Sequence, residues 1–217
     1  MHSLTEENYL KALFNLSGDT GEVNINELAQ HLSIKMPTAS SMIKKLAEKK
    51  LVHYESYKPV SLTKEGRRAA ALIIRKHRLT EMFLVEKMSF GWEEVHDIAE
   101  QIEHIQSSAF FDKMDELLNY PDWDPHGAPI PDKKGNVHRR EHKRLIDCLA
   151  GQDVILVAVT HSSNDFLKFL NSRHLKLGTE IHIMAIEPFD GTMTVTYGHQ
   201  QNEVLSQKVC ERLLVKG

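Results

Sequence analysis

Apolar positions recur at helical spacing through the first part of the chain and change to strand-like runs after about residue 150. Ser3-x-x-Glu6 is a capping box ahead of Tyr9, Leu10, Leu13 and Phe14, and it predicts a helix ending near Ser17-Gly18. Asn24-x-x-Glu27 repeats that pattern before Leu28, Ala29 and Leu32. A turn from Ser33 to Met36 leads to Pro37, which suits the first position of a third helix. This helix places Ala39, Met42, Ile43 and Leu46 on one face and Thr38, Ser41, Lys45 and Glu48 on the other. A short helix, a tight turn and a second helix that is apolar inside and polar-basic outside is the helix-turn-helix arrangement. Leu51–Tyr54 and Val60–Leu62 flank a polar turn and read as a two-stranded wing. A winged helix-turn-helix therefore fits Leu4 to Leu62.

Thr63 can cap the next helix, from Lys64 to about Lys87, a length suited to a spine between domains. Gly91 interrupts the pattern, and another helix is predicted from near Trp92-Glu93. Ser107 to Leu118 continues helical, with Phe110, Phe111, Met114, Leu117 and Leu118 as an apolar side that serves as core and in part as a dimer face. A stretch rich in Pro, with glycines, runs from Asn119 to Asn136. Beyond it, Val154–Val159, Glu180–Ile186 and Met193–Tyr197 read as strands, with a turn at Asp190-Gly191 and a helical insert at Phe166–Leu170. The expected fold is mainly α with a small β-barrel domain. Its divisions are 1–63, 64–142 (of which 119–142 is the Pro-rich linker) and 143–217.

Composition narrows the class. Only Cys148 and Cys210 are present, so a disulfide framework is not expected and a reducing cytoplasm is. The longest apolar run, Val154–Val159, is far short of the ~20 residues of a membrane span. The N-terminus lacks the basic start and apolar centre of a signal peptide. The net charge of −3 conceals two blocks. From Lys35 to Arg78 there are twelve Lys/Arg against three acids, and from Leu79 to His126 twelve acids against two Lys. The first block suits a polyanion and the second suits cations.

In a helix-turn-helix the start of the second helix enters the major groove. Pro37, Thr38 and Ser41 would approach base edges, while Lys35, Ser40, Lys44 and Lys45, with Lys58 from the wing, would meet phosphates. The acidic block carries the other chemistry. If residues 95–104 are helical, His96, Glu100, Glu103 and His104 fall within one stripe of roughly 100°. His77 and Glu81 form a second pair at i, i+4 on the preceding helix. Imidazole nitrogen with carboxylate oxygen is the donor set of divalent first-row metals. No nucleophile elbow, Walker loop, dinucleotide fingerprint or His-Glu-x-x-His stands in the chain, so a metalloenzyme reading rests on the metal stripe alone. The other alternative is an interaction adaptor with a structural metal.

With these residues placed, the chain resembles the metal-dependent transcriptional repressors of the diphtheria toxin repressor and manganese transport regulator family. The motifs are Arg75-Lys76-His77-Arg78-Leu79-x-Glu81 and Val95-His96-Asp97-x-Ala99-Glu100-x-x-Glu103-His104. Lys35-Met36-Pro37-Thr38-Ala39-Ser40 resembles the family's recognition-helix start, and Pro125-His126-Gly127-x-x-Ile130-Pro131 its linker. The resemblance implies a winged helix, a helical metal-binding and dimerisation domain, and an SH3-like C-terminal domain. It also implies a homodimer that binds a palindromic double-stranded DNA operator when loaded with metal, to control metal-ion uptake genes. Two metal positions follow from it. One uses Glu100, Glu103 and His104 with Asn8, and the other uses His77, Glu81 and His96, completed by the linker or the C-terminal domain. Asp124 stands near a place where some relatives carry a Cys, and His126, His161 and Asp165 are further candidates. Glu100, where iron-responsive members carry Cys, favours Mn²⁺ over Fe²⁺, with Zn²⁺ or Co²⁺ as ions taken in vitro. Asn8 departs from both the Asp and the Met found at its place. Without metal, Glu81, Glu100 and Glu103 are expected to repel one another and leave the first helix free to move.

Overall fold

A computed structural model describes residues 3–18, 20–138, 141–160 and 163–217. The chain divides into two compact units. The first comprises Met1–Thr80, Asp97–Asp122 and Ile130–His138, and the second comprises Glu81–His96, Trp123–Pro129 and Arg139–Gly217.

In the first unit, α1 (Leu4–Leu16) begins with the capping box fully formed: the Glu6 amide donates to Ser3 Oγ, and the Ser3 amide donates to Glu6 Oε2. Glu6 is then held by Lys49 Nζ at 2.7 Å and Lys45 Nζ at 3.2 Å. The Lys49 hydrogen bond, against the opposing effect of burial, takes its pKa down to about 2. Tyr9, Leu10, Ala12 and Leu13 bury the inner face. β1 (Glu22–Val23) precedes α2 (Ile25–His31), whose N-cap Asn24 makes no side-chain capping bond, so only the position of the second cap signal corresponds. The turn holds Ser33 at a φ of 53°, and the Ile34 amide closes it onto Ala29 O at 2.9 Å. α3 (Met36–Glu48) then buries Ala39, Ile43 and Leu46, while Pro37 sits in its first turn, where a missing N–H costs no helical bond.

β2 (Val52–His53) and β3 (Val60–Leu62) pair antiparallel as the wing, with Val52 opposite Leu62. The sequence pattern predicted two strands, but β1 adds a third, with Val23 opposite Val60, in the order β1-β3-β2. Two residues carry too little periodicity to announce a strand. α4 (Lys64–Met88) starts where Thr63 Oγ1 accepts the Gly66 amide at 3.0 Å. A side chain at Gly66 would strike the Leu51 carbonyl, so this position needs glycine for close approach. α5 (His96–Ile102) is shorter than expected: the predicted start at Trp92-Glu93 is a turn, and Glu103 and His104 lie in a turn beyond its end. The Glu103 amide still bonds to Ala99 O at 2.9 Å, which keeps Glu100 and Glu103 on neighbouring ground. α6 (Ser108–Leu117) is a separate helix, capped by Ser107. It buries Phe111 and Met114, with Leu118 just past its end, whereas Phe110, Leu117 and Ile105 are exposed. Arg75 fastens this region to α4 by donating to Asp115 Oδ2 and to the Pro131 carbonyl.

In the second unit, β4 (Lys143–Arg144), β5 (Asp153–Val159), β6 (Glu180–Ile186), β7 (Met193–Tyr197), β8 (Gln200–Leu205) and β9 (Leu213–Lys216) form one antiparallel sheet in the order β4-β9-β5-β6-β7-β8. α7 (Asn164–Ser172) contributes Phe166, Leu167 and Leu170 to its core, and the short α8 (Gln207–Cys210) leads into β9. Both cysteines are buried in this core. The loop 123–129 lies on β5, because the Val159 amide donates to His126 O at 2.9 Å. Gly127 has a φ of +82°, and a side chain there would meet Val157 O and Ala158. No described helix is long and apolar enough to cross a membrane.

Candidate metal centre

Within each unit the structure brings predicted metal ligands together. In the first, His77, Glu100 and Glu103 present ligand atoms within 4.8 Å of one another. Glu103 is wholly buried, and its Oε2 lies 2.6 Å from His77 Nδ1. His104 Nε2 stands 3.6 Å from Glu103 Oε1. The His104 Nδ1 atom is 2.6 Å from Glu7 Oε2, and Gln106 Nε2 donates to the other Glu7 oxygen at 3.0 Å. Lys11 Nζ reaches Glu100 Oε1 at 2.5 Å and the two Glu103 oxygens at 2.7 and 3.0 Å. The helix α1 thus meets the acidic segment through Glu7 and Lys11. On a helix, Asn8 lies within about 100° of both, and its Oδ1 is buried without a hydrogen-bond partner.

The second cluster is Glu81, Asp124 and His126, again with ligand atoms within 4.8 Å of one another and all three buried. Its loop is locally determined. Asp124 Oδ1 accepts the amides of His126 and Ala128 at 2.8 and 2.9 Å, so the carboxylate folds its own turn. His126 Nε2 is 2.9 Å from the Trp92 carbonyl, which can only accept, so this nitrogen carries the proton and Nδ1 faces Glu81 Oε2 at 3.7 Å. Trp92 stacks on the ring at 6.0 Å and is itself held by Asn171. Burial pulls the His126 pKa down, but the hydrogen bond and charge of Glu81, with the charge of Asp124, carry it above the ordinary value. His96 Nδ1 lies 3.4 Å from Glu81 Oε1, at the exposed side.

The single stripe expected along residues 96–104 is therefore divided: His96 goes to one cluster and Glu100, Glu103 and His104 to the other. His77 also has Nδ1 on Glu103, while the expected set of His77, Glu81 and His96 keeps ligand atoms within 4.8 Å of one another. The carboxylates do not simply repel one another, because Lys11 bridges Glu100 and Glu103 with one compensating charge and leaves α1 attached to them. Glu7 and Lys11 escaped the sequence reading, although their i, i+4 spacing on the face of Asn8 was a usable signal. Asp124 was noticed only as a departure from its relatives. His161 lies outside the described residues. Asp165 is in the first turn of α7, in neither cluster.

The donor sets fit a hard divalent cation on two observations. Each combines carboxylate oxygen with imidazole nitrogen and no thiol, and Asn8, on the helix that meets the first, leaves a buried amide oxygen unsatisfied.

On the nucleic-acid side, Lys35, Pro37, Thr38, Ser41 and Lys44 are exposed at and after the start of α3, with Ser40 half-buried among them. Lys45 is also exposed but is engaged by Glu6, and Lys58 on the wing pairs with Glu55 at 2.8 Å.

A winged helix beside a helical domain with buried carboxylate–imidazole clusters defines a DNA-binding regulator that senses a cation. Three family models cover almost the whole chain: "Iron dependent repressor, N-terminal DNA binding domain" over residues 1–60, "Iron dependent repressor, metal binding and dimerisation domain" over 63–132, and "FeoA domain" over 143–217. The iron-dependent repressor IdeR of Mycobacterium tuberculosis is 32% identical over 127 residues, 58% of this chain and 55% of that protein. The match thus spans about half the length of that relative. The diphtheria toxin repressor of Corynebacterium efficiens is 28% identical over 212 residues, 93% of this chain and 90% of that one. Among solved structures, a manganese-dependent transcriptional repressor in complex with manganese is 31% identical, covers 97% of this chain and 98% of its own, and superposes with a TM-score of 0.87. ScaR with bound Zn²⁺ gives 32% identity, coverage of 97% and 98%, and a TM-score of 0.80. The chain belongs to the diphtheria toxin repressor family of metal-dependent repressors. That family is one of DNA-binding regulators, not enzymes.

Proposed function

We propose that this chain is a homodimeric cytoplasmic repressor that binds a palindromic operator when loaded with Mn²⁺ and controls metal-ion uptake genes. The observation that carries the choice of Mn²⁺ is the thiol-free donor set. Both clusters offer only oxygen and imidazole nitrogen, while the two cysteines are buried in the β-sheet core. Fe²⁺ is the second candidate, since relatives are named for iron and others were solved with manganese, Zn²⁺ or Cd²⁺.

The first position would be held by Glu100, Glu103 and His104, with His77 and Asn8 completing it. The second would be held by Glu81, Asp124 and His126, with His96 at its rim. A bound dication would supply a fixed positive charge that the buried carboxylates otherwise obtain from protein cations. Glu103, wholly buried, fixes the first position and receives α1. His126 orients its Nδ1 by donating from Nε2 to Trp92 O. Asn8 and Glu7 connect the site to the winged helix, so loading bears on where α3 stands in each protomer. Two recognition helices must match one DNA turn, ~34 Å, or a multiple. The exposed Phe110 and Leu117 of α6 support a dimer face there. Thr38 and Ser41 would read base edges, and Lys35, Ser40 and Lys44 would contact phosphates. Lys45 and Lys58 would join them by exchanging a carboxylate for a phosphate. The divisions 1–63, 64–142 and 143–217 are our reading of the domains.

The test is binding to a palindromic family-type operator duplex in chelator and after adding Mn²⁺, anaerobic Fe²⁺ or Zn²⁺. Tightening of ten-fold or more, about 1.4 kcal/mol of coupling, with Mn²⁺ most effective at matched free concentration, is the expected result. Equal binding in chelator and metal would overturn the regulatory reading.

A further inference from the structure

Lys11 has no part in the ligand assignment above, yet its ammonium makes three polar contacts in the first cluster. Its ammonium has three protons to donate, and three carboxylate oxygens surround it: Glu100 Oε1 at 2.5 Å and the two Glu103 oxygens at 2.7 and 3.0 Å. The Lys11 side chain is 13% exposed and that of Glu103 is 0%. Water does not screen this contact well, and the ammonium supplies charge that offsets the buried carboxylate. The oxygens it uses are those a divalent ion would need. One lone pair cannot serve both cations, and two positive charges at such separation in a buried site repel strongly.

We infer that Lys11 is the resident counter-ion of the first metal position, a positioning residue whose ammonium must leave Glu100 and Glu103 before they take a divalent cation. The displacement sets the concentration at which the site loads, because every loading event forfeits the lysine contacts. It also changes how α1 is attached: the helix is held by Lys11 before loading and by Asn8 and the ligated carboxylates after it. The side chain is long and its stem flexible, so the head can swing to solvent without unwinding the helix. A methionine or glutamine at position 11 would leave the carboxylates uncompensated, and they would bind a cation more tightly. An arginine would keep the competing charge.

This inference rests on Glu100 and Glu103 being metal ligands, and the experiment separates the two. The Kd for Mn²⁺ is measured by direct titration of the full chain for the native protein and for Lys11→Met, Lys11→Gln, Lys11→Arg and Glu103→Ala. Circular dichroism confirms folding of each. In parallel, native protein in chelator or saturating Mn²⁺ is treated briefly with acetic anhydride, and Lys11 acetylation is read by mass spectrometry against Lys44. Expected are a Kd at least ten-fold lower for Met and Gln, a Kd within three-fold of native for Arg, and Lys11 acetylation that rises several-fold on metal loading. A Met or Gln chain that binds Mn²⁺ no more tightly than native, or Lys11 acetylation that Mn²⁺ does not raise, overturns the inference. If neither variant folds, the native footprint decides alone. Glu103→Ala binding Mn²⁺ as tightly as native would remove the ligand assignment itself, and the inference with it. Loss of binding in Glu103→Ala with unmoved Lys11 readouts would sink the inference alone.

Discussion

Glu103→Gln is the substitution on which the first cluster can be judged. The change is nearly isosteric, so it leaves no cavity and isolates the charge. Glu103 is wholly buried, and its oxygens take Lys11 at 2.7 and 3.0 Å and His77 at 2.6 Å. Removing one partner of a buried ion pair costs about 3–5 kcal/mol. Here the amide oxygen keeps one acceptor, and Lys11 retains Glu100, whose side chain is 42% exposed. We therefore expect a cost at or just below the bottom of that range, about 2–3 kcal/mol. The assay is urea unfolding in chelator, followed on the transition that contains the winged helix. A second series with Mn²⁺ then separates metal binding from intrinsic stability. A chain with metal at a hundred times its Kd gains about 2.7 kcal/mol, and the variant should lose most of the share belonging to the first position. Two results would refute the reasoning: a variant within about 0.5 kcal/mol of native in chelator, which is the range of ordinary surface changes, or one that gains as much from Mn²⁺ as native does.

Three other outcomes are expected. Thr38→Ala should alter preference at one or two operator positions by about 1–3 kcal/mol, whereas Lys44→Ala should weaken all duplexes alike and flatten the salt slope by about one; a series of operator variants at several salt concentrations distinguishes the two. His126→Ala should weaken the second Mn²⁺ equivalent by about 10–100-fold while the first is retained, and calorimetric titration would contradict the assignment if both equivalents stayed native. Burial raises the Cys210 thiol to about 12, so at pH 8 only about one thiol in ten thousand is ionised; its alkylation should be slow in the folded chain and fast in urea, and rapid labelling of native protein would contradict the buried placement.

The sequence by itself determined what depends on neighbours a few residues apart. The Ser3–Glu6 box closes within one turn. The Ala39, Ile43, Leu46 period orients α3 and leaves Thr38, Ser41 and Lys44 outward, and the strand runs at 154–159, 180–186 and 193–197 lie within β5, β6 and β7. The residue types at 77, 81, 96, 100, 103 and 104 pointed to a cation as ligand, because carboxylates and imidazoles turned inward require compensating charge. The tertiary structure decided how those residues are grouped. Helix α5 ends at Ile102, so a wheel drawn through 96–104 joined side chains that face different neighbours. Its start depends on where the loop after Gly91 sits, and local periodicity does not encode that. Strand β1 exists through its pairing with β3, some 38 residues away in sequence. Lys11 and Glu103 are 92 residues apart. In the sequence Lys11 is an ordinary helix-surface lysine. Only the packing of α1 against the acidic segment places it among three carboxylate oxygens. Asp124 and His126 share a turn, but their approach to Glu81 comes from the docking of that turn on β5 through Gly127. Local hydrogen bonds and side-chain periods act over a few residues and can be read in order along the chain. The charge balance of a buried site is a sum over side chains brought close by packing, and it is fixed only when the chain has folded.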